Sequence, residues 1–121
     1  DYKYRQVPLS KVLNLANKGI PAYLFRLHAS PTEALEILDR YKFPPGHITS
    51  SPQFIPRRDG EKPTDGYIVC TVWHENKNEF WLFDANYLSK GPKCKLFHPS
   101  LDFGFTLHTA WLPTIGNRQA S

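Results

Sequence analysis

The apolar positions of this chain change rhythm near residue 66. From Gly66 to His74 the stretch GYIVCTVWH is rich in β-branched and aromatic residues and predicts a strand. EFWLFDA (79–85) predicts a second one, and the polar run ENKN (75–78) between them predicts the turn of an antiparallel hairpin. NYLSKGP (86–92) is a turn-rich connector. KCKLFH (93–98) predicts a short strand with Cys94 and Leu96 on one face. PSLDFG turns again, and FTLHTAWL (105–112) closes the run as a last strand before Pro113.

The first half is less regular. LSKVLNLANKG predicts a short helix with Ser10 as its N-cap and Gly19 just past its end. IPAYLFRLH (20–28) predicts a strand. SPTEALEILDRY (30–41) carries two conflicting signals. Serine, proline and then glutamate resemble a helix start, whereas Leu35, Ile37 and Tyr41 also fit a period of two. Local propensity favours a helix there and the surrounding strands favour a strand. KFPPGHITSSPQFIPRRDGEKPTDG (42–66) is rich in Pro, Gly and Ser and predicts a loop, with a short extended piece at Gln53–Pro56. Short strands at this spacing mean an antiparallel all-β fold, a sandwich or a propeller blade.

Composition narrows the class. With 121 residues the chain is at most one domain, and 40% hydrophobic with 14% aromatic content fills a core. No window approaches the roughly 18 consecutive apolar residues of a membrane-spanning helix, and DYKYRQVPLS lacks the apolar run of a signal peptide. Methionine is absent throughout, and the first residue is Asp1, so the chain reads as an internal or C-terminal piece of a longer protein. The net charge of +4 is dispersed, with no arginine-rich segment, which predicts a solvated basic surface and no nucleic-acid partner. Cys70 and Cys94 have no C-x-x-C spacing. Both lie in predicted strands, so buried free thiols of a reducing, cytoplasmic setting are expected in preference to the alternative, a disulfide between them.

The candidate chemistry is sparse. None of His28, His47, His74, His98 and His108 has the spacing of a local metal site with another histidine or a cysteine. There is no G-x-S-x-G elbow and no glycine-rich phosphate loop. His74 at the hairpin turn and His47 after Pro-Gly are expected to be simply exposed, and His28 and His98 fall at strand ends. His108 differs by its setting. In an extended strand Phe105, Leu107, Thr109 and Trp111 share one large apolar face suited to a core, while Thr106, His108 and Ala110 share a small polar one. Taken alone, His108 is either a packed structural histidine or a ligand.

Three segments, in order, add a resemblance. SSPQFIPRRDG (50–60) is similar to a small-Glu-Pro-x-Phe-Val-Pro-Arg pattern. DGYIVCTVWHENKNEFWLFDANYLSKGP (65–92) is similar to an Asp-Gly strand, a hairpin, and then Asp-Ala-x-x-Leu and Gly-Pro. FGFTLHTAWLP (103–113) resembles a terminal Gly-Phe-His-Gly-x-Trp-x-Pro pattern. Together they resemble the C-terminal part of the carotenoid cleavage oxygenase family, which includes stilbene-cleaving members, and YLFRLHASPTEALEILDRYKFPPG fits as the preceding strand pair.

The resemblance implies that residues 1–121 are a C-terminal fragment of a single seven-bladed β-propeller domain. It implies an axial non-haem Fe(II) held by four histidines from different blades, and cleavage of a C=C bond of an apolar conjugated substrate (a carotenoid, apocarotenoid or stilbene) with O2 to give two carbonyl products. His108 matches the last histidine ligand. The other three would come from the remainder of the same propeller. Phe103 and Phe105 are candidates to line the substrate path, with packing in the core favoured for both and for Trp111. Peripheral contact with a membrane is part of the same expectation.

Two departures from the family pattern stand out. Ser51 occupies the position of the family glutamate that bonds an iron histidine. The terminal motif reads Gly104-Phe105-Thr106-Leu107-His108, with two extra residues before the histidine and no glycine after it. The Ser51 departure favours a second reading, a non-enzymatic propeller-type module that binds an apolar ligand or a protein.

Overall fold

A computed structural model describes residues 6–8, 10–11, 14, 18–102 and 108–116. Among these, six strands form two antiparallel sheets. The strands are β1 (Tyr23–His28), β2 (Glu36–Lys42), β3 (Ile48–Pro56), β4 (Gly66–His74), β5 (Lys77–Asp84) and β6 (Pro92–Phe97). β1 pairs with β2, and β3-β4-β5-β6 form a four-stranded meander. This all-β antiparallel arrangement is the one expected from the sequence, and a four-stranded meander is the unit from which propeller blades are made.

The β4–β5 hairpin is tighter than its polar run suggests. Glu75 and Asn76 have φ of 47° and 59°, so the connection is a two-residue turn whose twist matches the flanking strands. β5 therefore begins at Lys77, and Cys70 faces Trp81 while Ile68 faces Phe83 across the ladder.

The conflict over residues 30–41 resolves as a strand. The helix-start residues make only a local turn, in which Ser30 Oγ accepts from the Thr32 amide at 3.3 Å. From Glu36 onward the chain pairs with β1, from Tyr23↔Lys42 to His28↔Glu36, with a register shift between Arg26 and Leu27. Tertiary pairing overrides local helix propensity here.

β3 is a correction, because most of it falls in a stretch that reads as loop. Its pairing with β4 runs Ser50↔Thr71 and then Gln53↔Val69, which leaves Ser51 and Pro52 opposite Cys70 alone. Pro52 lacks an N–H, and a bulge on an edge strand is a place that tolerates this.

The core is built where the two sheets meet. Trp81 and Phe83 are fully buried, and Phe43, Cys70, Val72, Leu88 and Leu24 close around them. Tyr41 meets Phe83 at a centroid separation of 5.0 Å, and Phe43 meets Trp81 at 5.6 Å. Each such aromatic contributes about 2–3 kcal/mol by leaving water. The 3₁₀ turn Leu88–Lys90 inserts Leu88 into this core, and Asp39 on β2 holds it by accepting from the Ser89 amide at 3.3 Å. The opposite face of the four-stranded sheet is also apolar. It carries Val69, Trp73, Phe80, Leu82 and Leu96, of which Trp73 (41% exposed) and Leu96 (57%) are open to solvent.

Several expectations change. Cys70 is buried, but Cys94 is exposed, because β6 is an edge strand with only its first residue partly covered. Residues 108–112 form no strand, and Trp111 is 46% exposed rather than part of the core, since no ladder aims it inward. The first part of the predicted last strand, residues 105–107, lies outside the described residues. Ser10, Lys11 and Asn14 are helical, which places Ser10 inside the predicted helix rather than at its cap. Gly19 (φ 61°) ends that stretch as expected, and the other helix positions up to residue 17 lie outside the described residues.

Candidate functional site

Ser51 sits at the β3 bulge, partly buried, on the edge of the four-stranded sheet. Edge position and bulge both leave backbone groups outside the ladder. The Ser51 carbonyl is one of them in use. It accepts a hydrogen bond from Thr109 Oγ1 at 3.3 Å, across 58 residues of chain. Thr109 follows His108 directly, and His108 is exposed. The fold thus brings together the position where the family pattern carries a glutamate and the segment that carries the histidine. Beside it, the Ser50 and Thr71 hydroxyls hydrogen-bond to each other across β3 and β4. Phe103 and Phe105 lie outside the described residues.

Among the described residues, no three His, Cys, Asp or Glu side chains gather as a metal site. Near the end of the described chain His108 offers one exposed imidazole. A neutral imidazole is a donor type that Fe(II) accepts, and one such ring makes no metal site by itself.

The Asp-Gly and Asp-Ala-Asn parts of the motifs have a structural explanation. Asn86 donates to Asp65 Oδ1 at 3.2 Å and to the Thr64 carbonyl at 3.3 Å, and it accepts from Arg26 Nη1 at 3.0 Å. Asp84 accepts from the Asn86 amide at 3.0 Å and pairs with Arg57 at 3.5 Å. The Lys62 amide, then those of Glu61 and the Asn86 side chain, hold the Asp65 carboxyl below its ordinary value. These groups fasten the 57–65 loop to the hairpin and border a polar cleft of about 450 Å³. A second recess of about 320 Å³, lined by Leu24, Phe54, Ile68 and Leu88 among others, is apolar and lies between the sheets.

His47 and His74 are not simply exposed. Their rings stack at 4.3 Å, and both sit against the buried Trp81. Glu79 Oε2 accepts from Trp81 Nε1 at 2.6 Å and lies 3.1 Å from His74 Nε2, close enough for an ion pair but off line for a hydrogen bond. Lys95 also lies over Trp81, with Nζ 3.8 Å from the ring centroid. The sequence gives little sign of this group, because residue 47 reaches residue 74 only through the β3–β4 pairing. His28 ends β1 exposed, and His98 Nδ1 accepts from the Ser100 amide at 3.1 Å.

Comparison with known proteins bears on the same span. No curated protein and no solved structure matches the chain. The family model described as retinal pigment epithelial membrane protein matches residues 17–113, which takes in both sheets, Ser51 and His108. Among the described residues no helix is long and apolar enough to cross a membrane. The match covers most of the sequence, and the chain belongs to this family of carotenoid oxygenases and retinoid isomerases.

Proposed function

We propose that this chain is the C-terminal part of a non-haem Fe(II)-dependent dioxygenase that cleaves a C=C bond of an apolar conjugated substrate, a carotenoid, apocarotenoid or stilbene, to two carbonyl products. The observation that carries the reading is the Thr109–Ser51 contact within a family-matched span. It ties the segment that carries the terminal-motif histidine to the position where the family pattern has a carboxylate, and this supports the reading.

In this reading the sheets are blades of a propeller, and apolar residues on both faces of the four-stranded sheet support neighbours on either side. Bound Fe(II) supplies the activation of O2. His108 contributes one neutral nitrogen ligand, and the remaining histidines come from other blades of the same protein. Its second ring nitrogen needs an acceptor to fix the tautomer, and Ser51 has a hydroxyl where the family pattern has a carboxylate. The isolated 121 residues, with a single ligand, neither retain iron nor turn over.

The test is made on the full protein that contains this chain, by measuring bound iron and O2-dependent cleavage of a stilbene and an apocarotenoid, before and after His108→Ala. Loss of iron and of cleavage together is the expected result. Unchanged iron in the variant would sink the assignment of His108. Ser51 favours the second reading, a propeller-type module that binds an apolar ligand without chemistry, and iron-free protein that still binds such a ligand would establish it.

A further inference from the structure

We propose that Thr109 is the positioning residue for His108, holding the imidazole in place through the Ser51 carbonyl instead of through a glutamate. The inference rests on the reading of His108 as an iron ligand and concerns how this chain manages without the family carboxylate.

Three observations lead to it. First, residues 108–112 belong to no strand, so no ladder of backbone bonds fixes the ring that follows from them. A ligand must be held to within about half an ångström of its working position, so such a segment needs another anchor. Second, the bond from Thr109 Oγ1 to the Ser51 carbonyl is the side-chain hydrogen bond that ties this segment to the sheet among the described residues. Third, the acceptor is backbone. The bulge at Ser51 and Pro52 takes it out of the regular register, and it is present whatever side chain stands at position 51. Replacement of glutamate by serine removes a carboxylate but leaves this carbonyl untouched.

Threonine suits the task. Its hydroxyl supplies the donor that reaches the carbonyl, and a serine hydroxyl can supply the same one. A backbone anchor one residue past the ring can also tolerate the two extra residues before His108, because it fixes the segment after them. Thr109 does not itself touch the metal in this scheme.

The experiment uses the full protein with Thr109→Val, Thr109→Ser and His108→Ala. Iron retention is measured by dialysis against graded chelator, and the rate of protease cleavage between residues 108 and 116 is followed. Thr109→Val, which keeps the shape and loses the donor, is expected to be cut there roughly fivefold faster and to hold iron about tenfold more weakly. Thr109→Ser is expected to keep both properties. Wild-type behaviour in Thr109→Val, or an equal loss in Thr109→Ser, overturns the positioning role while leaving His108 as a ligand. Iron retention that ignores His108→Ala overturns the ligand reading and this inference with it.

Discussion

The imidazoles of His47 and His74 lie face to face, with ring centroids 4.3 Å apart and planes 15° from parallel. Glu79 stands against this pair. Burial pushes its carboxyl up, but the hydrogen bond from Trp81 together with the nearby His74 and Lys95 more than offsets that and holds it below its ordinary value. A carboxyl lowered by folding contributes stability that is full above the unfolded carboxylate range and is lost as pH falls through the folded pKa. Glu79→Gln is therefore expected to cost about 1 kcal/mol at pH 7, with the difference from wild type closing below about pH 4. Urea unfolding at the two pH values measures this, and a gap independent of pH would refute it.

The two cysteines are expected to differ sharply as nucleophiles. Burial pushes the Cys70 thiol up to about 11, whereas Cys94 is exposed on β6. At pH 8 a thiol reagent should label one site quickly in native protein and both after denaturation. Mass mapping that finds Cys70 modified at a rate similar to Cys94 would contradict the burial described above.

Gly66 opens β4 in a space that excludes any side chain. A Cβ there would meet the Ile55 carbonyl oxygen and would sit 2.6 Å from two ring atoms of Phe54. Gly66→Ala is expected to destabilise the fold by about 1–3 kcal/mol through overpacking. Gly116→Ala, where a Cβ meets nothing within 4 Å, should leave thermal unfolding unchanged.

Ser51→Glu returns the carboxylate of the family pattern to a position that already contacts the His108 segment. In the full protein it is expected to raise iron retention about tenfold against chelator, the usual order for a group that orients a metal-binding histidine. If retention is unchanged or falls, the serine is not a weakened metal-site residue, and the non-enzymatic reading gains.

How legible all this was in the sequence depended on where the ordering forces lie. β4 and β6 were readable to within a residue, since β-branched and aromatic runs bounded by turn residues state their own structure. β3 was not. Its serines and prolines read as loop, and what makes it a strand is the partner supplied by β4. Ser51 and His108 were singled out by motif, but nothing local could show that Thr109 would join them. The His47–His74–Glu79 group was missed for the same reason, because each member is unremarkable until the meander closes. The period of two around Trp111 resembles that of a paired strand, but the described residues supply no strand to pair with it.

The prolines at the sheet margins have one more consequence. Pro52 and Pro56 remove amide donors from one outer strand, and Pro92 opens the other, which also carries Lys93 and Lys95. Neither border can readily template a further strand from another molecule. Growth by lateral strand addition is discouraged at both margins, and what is left open for association is the flat of the sheet around Trp73 and Leu96, where contact is made by side chains rather than by backbone.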